Sequence, residues 1–321
     1  MDLEELPLRP SSQYRDLDVE LRLGVRVESL AALEADLVLL ATGARARTQP
    51  GLEDGLTLRT LDDAVRLRQV LETGDRLTIV GAGFIGCEVA AVARGRGLEV
   101  TVYERFGQPL ERVLGAQLGA YLASVHRAHG VELQLGVERL PALEGPVLVA
   151  TGSAPSVELA AAAGLEIEGG VLVDELGRTS RPGVFAAGDA ARFFSPLFGT
   201  HVRVEHFQTA WRHGAAVGRA MAGRLEPFAE APWFWSDQYD LNLQYVGAGL
   251  PYDQIAVRGD FGRPPFTVLY FKAGRLVAAA GVNDHHTVSR VRRLLELRVD
   301  LAVEQLTDLG VDLKRLARAR P

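Results

Sequence analysis

Arg76 to Glu104, reading RLTIVGAGFIGCEVAAVARGRGLEVTVYE, limits what this chain can fold into more than any other stretch. A short apolar run, Leu77 to Val80, ends in Gly81-Ala82-Gly83-Phe84-Ile85-Gly86, and the next dozen residues are spaced like a buried helix. Gly97 stops that helix, a second apolar run covers Leu98 to Tyr103, and Glu104 closes it. Strand, glycine turn, helix, strand and acid in that order form the dinucleotide-binding pattern. Gly81 permits the tight turn, Gly83 leaves room for a pyrophosphate, and Gly86 lets helix and strand pack closely. The diphosphate then meets the unpaired N–H groups and the dipole of the helix start. Glu104, eighteen residues beyond Gly86, stands where a carboxylate accepts hydrogen bonds from an adenosine ribose and repels a 2′-phosphate. NADH is therefore favoured over NADPH, a preference that Arg105 weakens slightly.

The 321 residues allow two or three domains and a sizeable core. A net charge of −6 argues against nucleic acid as the main partner. The opening MDLEELPLRP is acidic where a secretory signal is basic and then apolar. No apolar run reaches the ~20 residues of a membrane helix, so no membrane partner is expected. The single cysteine, Cys87, lies inside the glycine-motif helix, which excludes an internal disulfide or redox dithiol and fits a cytoplasmic setting. Cys87 reads as a small packing residue rather than a nucleophile.

An internal repeat organises the first 160 residues. Val19 to Val25 (VELRLGV) leads to Asp36–Gly43 (DLVLLATG), and Val131 to Val137 (VELQLGV) leads to Val147–Gly152 (VLVATG). Each copy reads as a strand, a short excursion and a buried strand ending in Ala-Thr-Gly. The strand that leads into the glycine motif begins 55 residues before the second copy, and the same interval from Val19 falls before Met1. A first nucleotide-binding βαβ unit is therefore expected to be missing from the start of the chain.

Residues 44–59 read as loop, and Thr60 to Thr73 as a helix with an Asp62/Asp63 start and a Gly74 stop. A further helix is expected from about Gln117 to His129, its His126 and His129 being surface or interface residues because no Cys or carboxylate accompanies them. A small strand is expected at Gly170–Asp174. Thr179 to Ala191 then runs a buried strand into Gly188-Asp189, where Asp189 either caps the next turn or lies at a ligand-binding sheet edge. Glu205 to Met221 reads as a helix carrying His206, Trp211 and His213. From about Phe228 the composition changes. Trp233-Phe234-Trp235-Ser236-Asp237-Gln238-Tyr239 concentrates four aromatics and suits either core packing or stacking beside a planar ligand. Strands follow at Leu241–Val246, Gln254–Arg258, Phe266–Phe271 and Arg275–Ala280, then helices at Thr287–Arg298 and Leu301–Ala319, which together read as a separate α+β domain.

Together the motifs resemble the flavoprotein pyridine nucleotide-disulfide oxidoreductases with two dinucleotide-binding domains, and within them the ferredoxin reductases of bacterial oxygenase systems, the putidaredoxin-reductase type. The resemblance covers nearly the whole chain from Leu6 and rests on Leu8-Arg9-Pro10, Ala41-Thr42-Gly43-Ala44-Arg45, Gly81–Glu88, Thr179–Ala190 and Pro232–Tyr239. It implies an α/β fold with two dinucleotide-binding domains and a C-terminal α+β domain. Residues 1–47 and 156–227 would form an N-terminally incomplete FAD-binding domain, 48–155 an NAD-binding domain and 228–321 the C-terminal reductase domain. It also implies that Asp189 and Gly188 hold the FAD ribityl chain, that Thr42, Gly43 and Arg45 line the FAD site, and that Trp235, with Trp233, flanks the isoalloxazine. Glu205 and His206 would present a helix start to the flavin. Gly81, Gly83, Phe84, Ile85, Gly86, Glu104 and Arg112 would hold NADH, with Glu88 and Gly152 at its nicotinamide end.

The implied reaction passes hydride from NADH to FAD and then single electrons to a [2Fe-2S] ferredoxin. No metal site, general acid or nucleophile is required. Residues 290–321 carry eight bases (Arg290, Arg292, Arg293, Arg298, Lys314, Arg315, Arg318, Arg320) and five acids (Glu296, Asp300, Glu304, Asp308, Asp312), which suits an acidic partner and equally a solvated helix face. The resemblance departs in the glycine motif for the FAD diphosphate, absent from the residues present, and in shortened excursions before both Ala-Thr-Gly strands. Two other readings stay open: an NADH-binding, flavin-deficient remnant without turnover, and a reductase serving rubredoxin, a nitrite reductase partner or oxygen. The chain is expected as a monomer or homodimer.

Overall fold

The computed structural model describes residues 10–299 and 301–317, in two compact units, Met1–Ala35 and Asp36–Pro321. Leu8, Arg9, Asp300, Arg318 and Arg320 lie outside the described residues.

The first unit holds a short helix α1 (Ser11–Asp16) and a 3-10 turn, Leu30–Ala32, capped by the Ser29 hydroxyl. The expected strand at Val19–Val25 does not form. Val19, Leu21, Leu23 and Val25 are exposed, and this segment has no ladder partner among the described residues. An extended segment without a neighbour leaves its N–H and C=O groups to water and gains nothing from alternation. The second copy succeeds because a partner strand is waiting for it.

In the second unit β1 (Val38–Leu40) and β2 (Ala44–Ala46) flank Thr42-Gly43. Helix α2 (Leu61–Thr73) follows, begun by a reciprocal capping box between Thr60 and Asp63 and stopped at Gly74. Then come β3 (Arg76–Val80), α3 (Phe84–Gly95), β4 (Glu99–Tyr103), α4 (Glu111–Ala128), β5 (Val131–Gln134) and β6 (Val147–Val149). Their four strands form one all-parallel sheet in the order β5-β4-β3-β6. The chain runs outward from β3 on one side and returns to its other side, which makes the carboxyl end of β3 the switch point where such sheets bind ligands. The range of α4 begins six residues before the expected Gln117, but the non-helical Gly115 (φ 79°, ψ 167°) sets off its first turn, so the long uninterrupted helix starts close to the expected position. The Tyr270 hydroxyl donates to the Leu114 carbonyl freed there (2.8 Å).

Beyond β6 lie β7 (Ser153–Pro155), α5 (Glu158–Ala162), β8 (Val171–Val173), β9 (Val184–Ala186), β10 (Ala191–Ser195), β11 (Thr200–Val202) and α6 (Phe207–Met221). Strand β1 pairs in parallel with β9, and β2 pairs antiparallel with β7. The strands leaving the two Ala-Thr-Gly repeats therefore pair with one another.

The aromatic run is a strand, β12 (Trp233–Gln238), at the edge of an antiparallel sheet with β13 (Leu241–Val246), β14 (Gln254–Gly259), β15 (Phe266–Lys272) and β16 (Arg275–Val282), ordered β12-β13-β16-β15-β14. One face of this sheet shares a core with α3, α4 and the parallel sheet, where Leu114, Leu118, Leu122, Phe266 and Tyr270 are almost fully buried. Each such side chain contributes about 2–3 kcal/mol. The other face packs on α7 (His285–Glu296), α8 (Val303–Thr307) and α9 (Leu313–Leu316). Among the described residues of the long helix expected at Leu301–Ala319, the chain instead forms the two short helices α8 and α9. The buried Arg258 guanidinium takes the Leu306, Asp308 and Val311 carbonyls (3.1, 2.5 and 3.0 Å), holding the chain in a bend that a continuous helix would not allow.

At the capping box, burial opposes ionisation of Asp63, but N–H groups of Thr60 and Arg59 outweigh it and hold the carboxyl down at about 2. A group more acidic when folded contributes fully above its unfolded value of 3.8 and loses that contribution as pH falls through about 2. Asp63→Asn should therefore cost roughly 1–2 kcal/mol at neutral pH, measured by denaturant unfolding. The gap to wild type should close between about pH 4 and pH 2.

Candidate functional site: a glycine turn facing an aspartate-lined cavity

The glycine turn is held by three contacts. Gly81 N–H donates to Tyr103 O (2.8 Å), and the Glu104 carboxylate accepts from the N–H groups of Ala82 (2.6 Å) and Phe106 (2.9 Å). Glu104 is thus fixed beside the turn, where it would meet a ribose. A Cβ on Gly86 would run into the Gly81 carbonyl oxygen, whereas one on Gly83 would find its nearest neighbour, Ala150 O, at 4.0 Å. The first position is glycine for packing. The second opens onto space that the fold leaves unfilled. The first N–H groups of α3 point there with no carbonyl four residues back to bond, as an anion site requires. The Thr151 hydroxyl, buried without a partner, closes the neighbouring strand end, ahead of exposed Gly152 (φ 99°). Cys87 is buried in α3, and burial followed by the charges of Glu104 and Glu88 pushes its thiol up, which fits packing rather than attack.

A cavity of about 510 Å³ lies beyond the end of β9, lined among others by Gly43, Arg59, Gly188, Asp189, Glu205 and His206. The Asp189 side chain is only 12% exposed. Its Oδ2 accepts from Arg59 Nη2 (2.8 Å), while its Oδ1 is buried with no partner. Arg203 Nη1 donates to Glu205 Oε1 (2.5 Å) and to the Asp189 carbonyl (3.3 Å), and the Ser153 hydroxyl donates to the same Glu205 oxygen. His206 caps α6, and burial lowers its pKa against the pull of Asp189. Below the turn, burial lowers His213 to about 4, and its neutral Nδ1 accepts from Gly188 N–H (3.3 Å). A groove of about 660 Å³ between α6 and α7 is larger, but most of its charges are paired, Arg212 and Arg292 with Glu230 and Arg293 with Glu296.

Aromatic rings join the two places. Phe84, first in α3, meets Phe234 of β12 edge-on (4.9 Å between centroids), and Phe234 meets His206 (5.5 Å). Trp235 packs on His206 and Phe207 (5.7 Å each) and on Trp233 (5.4 Å). Glu88, one turn beyond Phe84, accepts from the Ser236 hydroxyl (2.6 Å), and burial raises its pKa.

The expected residues divide accordingly. Gly43, Gly188, Asp189, Glu205 and His206 share one cavity, and Gly81, Gly83, Phe84, Gly86 and Glu104 share one turn. Thr42 donates instead to Ser156 O (2.6 Å) and Arg45 pairs with Glu158 (2.5 Å), so neither lines the cavity. Ile85 and Arg112 are exposed on α3 and on the first turn of α4. Arg59 went unnoticed in the sequence, and Ser236 was read only as part of the aromatic run. Arg59 sits in a loop and carries no local pattern, whereas Ser236 alternates with the large residues of β12 and was findable by a period-two reading.

Residues 14–140 and 145–214 match the family described as pyridine nucleotide-disulphide oxidoreductase, and 233–317 match a reductase C-terminal domain. The chain belongs to the pyridine nucleotide-disulphide oxidoreductase family. It is 37% identical to the ferredoxin–NAD(+) reductase component of the anthranilate 1,2-dioxygenase system of Burkholderia cepacia, over 96% of this chain and 84% of that protein. It is 32% identical to putidaredoxin reductase of Pseudomonas putida, over 98% and 84%. Its fold matches the crystal structure of the covalent putidaredoxin reductase–putidaredoxin complex with a TM-score of 0.92, 30% identity, and coverage of 100% of this chain and 87% of that one. Among the described residues no helix is long and apolar enough to cross a membrane, and no cluster of three or more His, Cys, Asp or Glu could hold a metal.

The two glycines give a paired test. Gly86→Ala should destabilise the fold by about 2 kcal/mol or more by overpacking. Gly83→Ala should leave unfolding within about 0.5 kcal/mol of wild type while weakening NADH binding roughly tenfold, read by fluorescence titration.

Proposed function

We propose that the chain is an NADH-dependent flavoprotein reductase that passes electrons through FAD to a [2Fe-2S] ferredoxin in an oxygenase system, in the cytoplasm. The observation that carries this reading is the aromatic bridge Phe84–Phe234–His206, which joins a dinucleotide turn to a cavity with an unsatisfied buried carboxylate oxygen. Family membership and the names of the relatives support it, as does the lone buried cysteine. The residues at the cavity fit FAD. Asp189 Oδ1 lacks the hydroxyl donor that a ribityl chain provides, and Gly43 and Gly188 line the cavity without a side chain.

Bound FAD supplies the chemistry that links a two-electron hydride donor to a one-electron acceptor. The chain's own residues bind, orient and exclude water. Arg59 neutralises Asp189 on one oxygen and leaves the other free to accept a hydroxyl. Glu104 receives the adenosine ribose and the start of α3 receives the diphosphate. Phe84 and Phe234 cover the path between turn and cavity, and Trp235 with Phe207 shields the cavity mouth. An acidic ferredoxin is met by the basic stretch near the C-terminus. Among the described residues of that stretch Lys314 and Arg315 are exposed and Arg290 is half-buried, while Arg292 and Arg293 pair with Glu296 and Arg298 donates to Pro196 O.

The test is anaerobic reduction of a 2Fe–2S ferredoxin by the FAD-supplemented chain. NADH should support turnover, and Glu104→Ser should shift the NADPH/NADH ratio of kcat/KM upward by about tenfold. An unchanged ratio would remove Glu104 from the ribose. Asp189→Ala should weaken flavin retention on gel filtration by about tenfold or more, as loss of a buried charge-assisted hydrogen bond does.

A further inference from the structure

A chain of buried hydrogen bonds begins at Glu88 and ends on a different helix. Ser236 Oγ lies 2.6 Å from Glu88 Oε1, Gln238 Nε2 lies 3.1 Å from Ser236 Oγ, and His126 Nε2 lies 3.0 Å from Gln238 Oε1. His126 Nδ1 then lies 3.0 Å from the Tyr239 hydroxyl. Ser236, Gln238 and His126 are each 1% exposed, so water satisfies none of them.

The carboxylate sets the direction of every bond. An ionised Glu88 only accepts, so Ser236 must donate to it and can only receive from the Gln238 amide nitrogen. That turns the Gln238 carbonyl toward His126, which must carry its proton on Nε2, leaving Nδ1 to accept from Tyr239 O–H. Burial, which lowers the His126 pKa, favours the neutral ring that this arrangement requires. At the far end Tyr239 holds a left-handed backbone (φ 57°) in the turn between β12 and β13, and its ring stacks on His129 (3.7 Å, 10°). A non-glycine residue in that conformation is strained and persists where its surroundings fix it.

We propose that His126 is a positioning residue for the dinucleotide site: through Gln238 and Ser236 it fixes the orientation of the Glu88 carboxylate. The proposal rests on the reading that Glu88 flanks the nicotinamide. An apolar filling of the same volume would join α4 to β12 equally well. A one-way chain ending on a half-buried carboxylate also orients that carboxylate.

Two readouts test it on the flavin-loaded chain. The first is NAD+ dissociation, followed by tryptophan fluorescence, for Ser236→Ala, His126→Leu, Gln238→Met and the double variant Ser236→Ala/His126→Leu. Each single change should weaken binding about threefold or more, and the double variant should be no worse than Ser236→Ala alone, because both act through one path. His126→Gln, which keeps an amide N–H near the Nε2 position, should restore binding and covers the case that His126→Leu fails to fold. Additive losses, or unchanged binding in Gln238→Met and His126→Leu alike, would overturn the proposal. The second readout needs no nucleotide: the carboxylate infrared band assigned to Glu88 by its loss in Glu88→Gln should shift in His126→Leu and return in His126→Gln. A band that stays put overturns the positioning role. If Glu88→Gln leaves NAD+ binding unchanged, the nicotinamide reading falls by itself, and the infrared band still decides the proposal.

Discussion

A helix that begins against the end of a strand cannot carry a Cβ at the point of contact, and Gly86 obeys that limit against the Gly81 carbonyl. The approach has a consequence for charge. It sets the unpaired N–H groups of α3 at the switch point of a four-stranded parallel sheet, beside Glu104 and under the open face of Gly83. The residues that follow are then placed by helical geometry alone. Phe84 stands at the first helical position and Glu88 one turn later on the same face.

Strand β12 reads that helix face. Four residues of α3 advance about 6 Å, and two residues of a strand advance about 6.6 Å, so same-face neighbours on each element fall into step. Phe234 meets Phe84 and Ser236 meets Glu88, while Gln238 reaches on to His126 of α4. The other face of β12 carries Trp235, which packs on His206 and Phe207 at the start of α6, and Trp233, which packs on Trp235 and against the core beneath α7. One edge strand therefore packs against both the glycine-turn helix and the start of α6 beside the Asp189 cavity, and its alternation keeps the polar anchors apart from the tryptophans.

Much of this was legible in the sequence wherever local physics decides. The βαβ unit formed within a residue or two of expectation, as did the capped helix over Leu61–Thr73 and the strand Leu241–Val246. The repeat was visible through its Ala-Thr-Gly ends, and those ends lead into paired strands. Its other half misled, because the alternation at Val19–Val25 describes a strand only when a partner stands beside it. Long-range pairings were invisible for a related reason. Nothing near Arg59 announces an ion pair with Asp189, 130 residues away, and nothing near His126 announces Gln238. Tertiary contact also broke the expected C-terminal helix, where Arg258 takes three carbonyls from across the fold.

The central claim is that the turn at Gly81–Gly86 delivers a reduced nicotinamide to a flavin held at Asp189. The most direct measurement is the visible absorbance of the FAD-loaded chain on anaerobic addition of NADH. The oxidised-flavin band should bleach in wild type and bleach far more slowly in Gly83→Ala at the same NADH concentration. A chain that binds both FAD and NADH while its flavin band stays unchanged would contradict the account.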